Sequence, residues 1–258
     1  MQIWPAIDLR GGKCVRLKQG DYQQETVFGD DPAAIARQWV GQGATRLHLV
    51  DLDGAREGRA ANRDALQAIL LAVDVPCQIG GGIRDEATIE QLINLGAARL
   101  IVGTRALREP EWFVAMCRRF PERLVLGIDA REGRVATDGW RETSETSAVD
   151  FAKRFAEEPL AAIVYTDIAK DGMLAGPNLA AMAEMVAATE APVIASGGVT
   201  TATDVASLAK IGAAGCIIGR ALYEGTLTLA DALAAAAPTV TEDTEAGKQQ
   251  GPTPREQP

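Results

Sequence analysis

Gly80-Gly81-Gly82-Ile83 and, further along, Val102-Gly103-Thr104 return later in the chain as Ser196-Gly197-Gly198-Val199 and Ile218-Gly219-Arg220. The step from Gly81 to Gly197 and from Gly103 to Gly219 is 116 residues in both cases. Ahead of each set an aspartate closes an apolar run: Asp8 in Pro5-Ala6-Ile7-Asp8 and Asp129 in Gly127-Ile128-Asp129, 121 residues apart. A half-length unit is therefore present twice. Each copy brings one carboxylate and two glycine turns, and a residue without a Cβ lets backbone N–H groups close on an anion.

Outward from these turns, short apolar runs alternate with segments of helical period. The runs Ile3–Asp8, Arg46–Asp51, Cys77–Gly80, Arg99–Gly103, Leu124–Asp129, Ala162–Asp167, Val193–Ser196 and Cys216–Gly219 read as strands. They are apolar almost throughout, as parallel strands covered on both faces must be. Helices are predicted over Pro32–Gln42, Arg63–Val73, Glu86–Leu95, Glu111–Arg119, Ala148–Glu157, Leu179–Ala188, Ala202–Ile211 and Leu229–Ala236. Pro32 and Pro110 suit first-turn positions, and Gly43, Gly96 and Gly212 suit helix stops. Eight βα units in succession predict an α/β fold, a (β/α)8 TIM barrel with a two-fold internal half-barrel repeat, over residues 1–237. A doubly wound open sheet is the alternative. From Pro238 to Pro258 the composition turns to Pro, Gly, Thr and Glu with almost no large apolar residue, which predicts a disordered tail without catalytic duty.

In a barrel the chemistry sits where strands end. Those ends supply Asp8, Asp51, Gly81-Gly82, Gly103-Thr104, Asp129, Thr166-Asp167, Gly197-Gly198 and Gly219-Arg220. Asp8 and Asp129 close the first and fifth strands and so face one another across the mouth. That placement suits a general base on one side of a substrate and a general acid on the other; the plainer reading is that each caps the loop that follows. Gly81, Gly82, Gly103 and Thr104 form one predicted phosphate site, Gly197, Gly198, Gly219 and Arg220 the other. Trp140, in the polar stretch Asp138-Gly139-Trp140, has little packing reason to be there and is expected to stack on a planar ring of the substrate. The polar segment Lys18–Asp31 is expected to close over the mouth together with the stretch around Trp140.

Composition narrows the classes. With 258 residues, 47% of them hydrophobic, the chain can bury a large core. A net charge of −9 speaks against a nucleic-acid or anionic-membrane surface. No apolar run spans a bilayer, and the N-terminus has neither signal- nor transit-peptide pattern. Cys14, Cys77, Cys117 and Cys216 are scattered, without metal-binding or disulfide spacing. The single histidine, His48, falls inside an apolar strand and reads as packed rather than catalytic. No dinucleotide or Walker A motif is present. The chain reads as a cytoplasmic monomer with a small-molecule bisphosphate substrate, no cofactor and no metal.

The run Pro5-Ala6-Ile7-Asp8-Leu9-Arg10-Gly11-Gly12-Lys13-Cys14-Val15-Arg16-Leu17, followed by Gln19-Gly20-Asp21, is long and specific. It resembles the opening of the phosphoribosylformimino-AICAR ribotide isomerases of histidine biosynthesis. The resemblance continues through Gly80–Arg84, Val102–Thr104, Gly127–Asp129, Asp138–Trp140, Thr166–Gly172 and Ser196–Val199, and covers roughly residues 1–236. It implies an Amadori rearrangement of an aminoaldose to an aminoketose, on a substrate with two phosphates and a carboxamide-bearing imidazole, needing neither cofactor nor metal. By position Asp8 matches the family's base. Asp129, which the repeat symmetry selects, and Asp171 in Lys170-Asp171-Gly172 both match aspartates able to serve as the acid. Thr166 matches a hydroxyl that orients either, and Arg16, Lys18 and Gly172 fall in matching stretches expected to meet the substrate. Three other readings stay open: the cyclase subunit of imidazole-glycerol-phosphate synthase, a bifunctional isomerase that also takes phosphoribosylanthranilate, and a barrel that only binds phosphosugars. Against the bifunctional form, Asp138 stands where that form carries a basic residue and would repel the anthranilate carboxylate.

Overall fold

The computed structural model describes residues 1–237; the tail expected from Pro238 onward lies outside the described residues. Twelve strands follow in order: β1 Gln2–Arg10, β2 Lys13–Lys18, β3 Asp21–Gly29, β4 Leu47–Asp51, β5 Cys77–Gly80 and β6 Arg99–Val102, then β7 Leu124–Arg131, β8 Arg134–Thr137, β9 Glu142–Ser147, β10 Ala162–Asp167, β11 Val193–Ser196 and β12 Gly215–Ile218. Eight of them close a parallel ring, β1-β4-β5-β6-β7-β10-β11-β12, with β12 returning to β1 through the register Gln2↔Gly215 to Pro5↔Ile218. These are the eight predicted strands, each within about two residues of its expected ends. The fold is the (β/α)8 barrel, and Asp8 and Asp129 lie on strands four places apart around the ring.

Helices cover the outside, beginning where the local chemistry provides a cap. The Asp31, Asp85 and Ser147 side chains accept from the backbone N–H three residues on, and Thr201 with Asp204 forms a reciprocal capping box. The fifth barrel helix, Ala148–Lys153, is four residues shorter than expected, giving way to turns over residues 154–157. Helices and strands share one core from Ile3 to Ala236, in which Phe113, Phe151 and Phe155 pack edge to face. A second cluster fills the barrel's interior: Trp4, Ala6, Val125, Ala161, Ala162, Val164, Ile194 and Ile217. Trp4, only 1% exposed, closes the end away from the site, so the barrel is a plugged core with one open mouth.

Two elements were not legible as strands. After β1 the chain forms the antiparallel hairpin β2–β3, and after β7 the antiparallel pair β8–β9. The segment Lys18–Asp31, expected as an irregular closing loop, is thus mostly the outer strand of a hairpin. Its residues 23–27 are exposed, so no apolar face gave the alternation that marks a half-buried strand. The two hairpins extend the repeat, since each half-barrel carries one after its first strand.

Candidate active site

The open mouth holds a cavity of about 260 Å³, lined by residues from every parallel strand or its following loop. Asp8, 8% exposed, projects from the end of β1, and Arg16 on β2 reaches back to it with Nη1 at 2.9 Å from Oδ2. The antiparallel register Asp8↔Val15 brings the two side by side. Arg16 is itself buried, and a Cβ on Gly219 would fall 2.1 Å from its Nη2, so a larger residue there would push the guanidinium aside. Burial raises the Asp8 carboxyl above the ordinary range, and the neighbouring Arg16 charge opposes that rise.

Across the mouth, Asp129 on β7 pairs in register with Thr166 on β10. Burial raises its pKa, against two hydrogen bonds donated to the carboxylate, from the Trp140 indole N–H and the Thr166 hydroxyl. Asp171 comes from the loop after β10. Burial lifts its pKa to about 6; Arg16 lowers it, while the Asp8 and Asp129 charges raise it further. Three carboxyl groups therefore share the mouth with Arg16, and burial raises all three, Asp171 to about 6. His48, 8% exposed, accepts at Nδ1 from the Gln78 Nε2 amide at 2.9 Å, and burial drives its pKa down to about 3. It is a neutral, packed residue, as its apolar strand predicted.

The glycine turns occupy the rim. Gly81 and Gly197 have φ of +101° and +94°, and a Cβ on either would meet the carbonyl oxygen of Asp51 at 2.1 Å or of Asp167 at 2.7 Å. Those positions exclude any other residue. Gly103 and Gly219 share an unusual conformation, φ/ψ of −110°/−94° and −106°/−101°, each just ahead of a short helix, Thr104–Arg108 and Arg220–Tyr223. Gly81, Gly82, Gly103 and Thr104 line one side of the cavity, Gly197, Gly198, Gly219 and Arg220 the other.

Several expected residues sit differently from expectation. Lys18 is exposed at the hairpin end and does not line the cavity. The Arg220 guanidinium donates to the Gly172 carbonyl at 2.7 Å and to Glu224 at 2.5 Å, so it is already engaged. Trp140, with φ +70°, lies against Gly20 of the β2–β3 turn, where an added Cβ would come 2.5 Å from the ring. Asp138 does not line the cavity; its carboxylate meets Arg108 at 2.5 Å. The expectation that Asp138 would repel an anthranilate carboxylate is thus corrected, since its charge is paired and turned away. Sequence reading also missed Tyr22, Arg84 and Arg105, all lining residues. Arg84 and Arg105 directly follow the two glycine motifs, a signal that was available; Tyr22 lay hidden in the unrecognised hairpin. With Arg16 and Arg220, Arg84 and Arg105 bring four arginines to the mouth of a chain of net charge −9, three of them paired with Asp8, Glu109 and Glu224.

No helix of the described residues is long and apolar enough to cross a membrane. Residues 2–228 match the family model described as "Histidine biosynthesis protein". Over 234 residues the chain is 58% identical to a protein of Rhodopirellula baltica named 1-(5-phosphoribosyl)-5-((5-phosphoribosylamino)methylideneamino) imidazole-4-carboxamide isomerase, covering 90% of this chain and 92% of that one. Proteins of the same name from Gloeothece citriformis and a Picosynechococcus strain are 52% and 50% identical, over 91% and 94% of this chain and 93% and 96% of theirs.

Proposed function

The chain belongs to the histidine biosynthesis protein family, and from that membership and the chemistry of its mouth we infer that it is an intramolecular aldose–ketose isomerase. Its substrate is the phosphoribosylformimino-AICAR ribotide, an aminoaldose turned into its aminoketose without net oxidation. The observation that carries the reading is the meeting of Asp8, Arg16 and Asp171 between two symmetric sets of glycine turns.

The reaction needs a proton given to the furanose ring oxygen and a proton taken from C2. As the acid donates, the C1–O bond breaks and the amine lone pair forms a Schiff base. Removal of the C2 proton sends its electrons toward C1=N, giving an enolamine; tautomerisation leaves a carbonyl at C2 and CH2 at C1. Asp8 suits the base, because Arg16 at 2.9 Å favours its ionised form while burial strengthens its hold on an incoming proton. Repeat symmetry pointed to Asp129 as the acid, but we assign that role to Asp171. Its pKa of about 6 keeps a proton available, whereas at Asp129 the bonds from Trp140 and Thr166 favour the carboxylate and oppose the rise that burial causes. Binding two phosphates nearby raises Asp171 further. Trp140 leaves Asp129 to stack on the imidazole when substrate arrives.

The two terminal phosphates bind at the two sets of turns, through backbone N–H groups and the neighbouring Arg84 and Arg105. The protein works as a cytoplasmic monomer. Its four cysteines are buried free thiols, and among the described residues the exposed large apolar side chains are the four of Val27, Leu71, Met173 and Leu179, which supports that reading. Residues 1–237 form the catalytic unit, and residues 238–258 carry no catalytic duty. Purified protein incubated with the aminoaldose in a spectrophotometer tests the assignment: absence of conversion at micromolar enzyme overturns it.

A further inference from the structure

Behind the two glycine turns lies a second repeat, made of residues that do not line the cavity. Asp51 ends β4 and Asp167 ends β10; Asn62 and Asn178 follow, and both pairs stand 116 residues apart, the same step as the glycines. In the first half the Asn62 Nδ2 donates to Asp51 Oδ1 at 2.7 Å, and in the second the Asn178 Nδ2 donates to Asp167 Oδ2 at 2.6 Å. Each clasp closes a loop whose backbone supports a turn. The Asp51 and Gly54 carbonyls stand against Gly81 and Gly82, and the Asp167 and Gly176 carbonyls against Gly197 and Gly198.

The copies differ in what else they hold. Asp51 is saturated by acceptor bonds, from the N–H groups of Gly54, Ala61 and Asn62 at 2.7–2.9 Å as well as from the Asn62 amide. Asn62 accepts in turn from Gly12 N at 2.8 Å, and the residue equivalent to Asp171 in this half is Ala55. Asp167 accepts from Ala169 N at 2.9 Å, and its carbonyl also accepts from Asp171 N at 3.1 Å. One residue therefore touches both the second turn and the segment that carries Asp171, and Arg220 fixes the next carbonyl, Gly172, at 2.7 Å.

We propose that the two aspartate–asparagine clasps are positioning devices of unequal duty: Asp51–Asn62 sets one phosphate turn and anchors the β1–β2 turn beyond Asp8, and Asp167–Asn178 sets the other phosphate turn together with the segment that carries Asp171. The proposal rests on the isomerase reading for its kinetic part only. Neither asparagine touches the reacting atoms. Loosening the second clasp lets Asp171 drift relative to the ring oxygen, and a displacement of the order of 1 Å costs about a hundredfold in turnover. Loosening the first weakens one anion site, while the β1–β2 ladder and the Arg16–Asp8 pair keep the base in place and leave the proton transfers alone.

The second clasp has a chemistry that permits a clean rescue. Exchanging the partners, Asp167→Asn with Asn178→Asp, preserves every bond. Position 167 still accepts from Ala169 N and donates to position 178, where a carboxylate still accepts from Ala181 N as the helix cap. Asn178→Asp alone sets two carboxylates against each other. The experiment measures kcat, KM and pH–rate profiles for Asn62→Ala, Asn178→Asp and the exchanged double variant. Inorganic phosphate affinity, by phosphorus NMR titration, is read on the same proteins with folding checked by circular dichroism. Asn62→Ala is expected to raise KM and weaken one phosphate site about tenfold, with kcat and its pH profile within about threefold of wild type. Asn178→Asp is expected to lower kcat about a hundredfold, shift the alkaline limb and weaken the other site. The exchanged variant is expected to recover to within about fivefold. The proposal is overturned if Asn178→Asp leaves kcat and phosphate affinity unchanged, if a folded exchanged variant stays as impaired as the single one, or if Asn62→Ala moves the pH profile as far. Should wild type lack isomerase activity, the functional reading fails, while unchanged phosphate affinity in both single variants would still overturn the clasps and its loss at separate sites would still support them.

Discussion

Asp8 is the residue on which turnover should depend most steeply. Asp8→Asn keeps the volume and removes the base, so kcat is expected to fall by about 10²–10⁴ with the fold intact; a variant retaining a tenth of wild-type kcat excludes Asp8 from proton transfer. Asp171 makes a prediction with a sign. Its proton is needed for ring opening and is held up to about pH 6 in the empty site, so kcat/KM should decline above that pH, while kcat declines only at higher pH once phosphates are bound. Removal of this limb by Asp129→Ala but not by Asp171→Ala would return the acid role to Asp129. The same shift bears on stability. A carboxyl whose folded pKa is raised contributes fully below its unfolded value near 4 and loses that contribution as pH climbs through about 6. Asp171→Asn should therefore melt roughly 5–10 °C above wild type at pH 8, with the gain gone at pH 4. At this scale the sequence disclosed residue types and strand ends, enough to single out Asp8 and Asp129; Asp171, four residues past the end of β10, came only from the family resemblance. The sequence could not disclose which carboxyl keeps its proton, because that depends on Arg16, Trp140 and Thr166 arriving from other elements. Nor could it show that the Asp138 charge is spent on Arg108.

The elements that bear on function are the β2–β3 hairpin and the turn Asp138-Gly139-Trp140. All three residues of that turn have positive φ, and for an aspartate and a tryptophan this costs of the order of 1–3 kcal/mol each. It is held by the Asp138 N–H donating to Thr104 Oγ1 at 3.1 Å, by Arg131 donating to the Trp140 carbonyl at 3.1 Å, and by the indole bond to Asp129. A substrate that offers the indole an imidazole face in place of Asp129 releases the turn. Amides of residues 19–26 and 138–142 should therefore change hydrogen-exchange rate on binding a bisphosphate ligand, and equal rates with and without ligand would rule out the movement. The barrel elements were legible because buried parallel strands and their helices carry strong apolar patterns, and because Pro32 and Pro110 mark helix starts and Gly43, Gly96 and Gly212 helix stops. The hairpins were not, since β3 and β9 are mostly exposed and their pairing is fixed by the strands they extend rather than by a pattern of their own. Tyr22, whose hydroxyl donates to the Leu52 carbonyl at 2.7 Å, entered the site unseen for that reason.

The molecule as a whole is two half-barrels facing one another, β1-β4-β5-β6 and β7-β10-β11-β12, and its symmetry sets what it can select. A crystal soaked in sulfate should show two anions, one at Gly81-Gly82 with Gly103-Thr104 and one at Gly197-Gly198 with Gly219-Arg220; density at one site alone would remove the symmetric binding scheme. Selectivity follows from the same pair. Phosphoribosylanthranilate has a single phosphate, so it leaves one set of turns empty and gives up the charge-assisted hydrogen bonds of that site, each worth roughly 1.5–3 kcal/mol. With Asp138 paired to Arg108, no repulsion adds to this loss, and the discrimination rests on the second phosphate alone. Two such bonds lost amount to at least a hundredfold in kcat/KM at 1.4 kcal/mol per decade. The enzyme should thus convert the histidine intermediate at least a hundredfold more efficiently than the anthranilate compound, and should fail to rescue growth of a tryptophan auxotroph lacking its own isomerase. Rescue at ordinary expression would mean that one filled anion site suffices to hold a substrate against Asp8, and the duplicated turns would then need a different reason to exist.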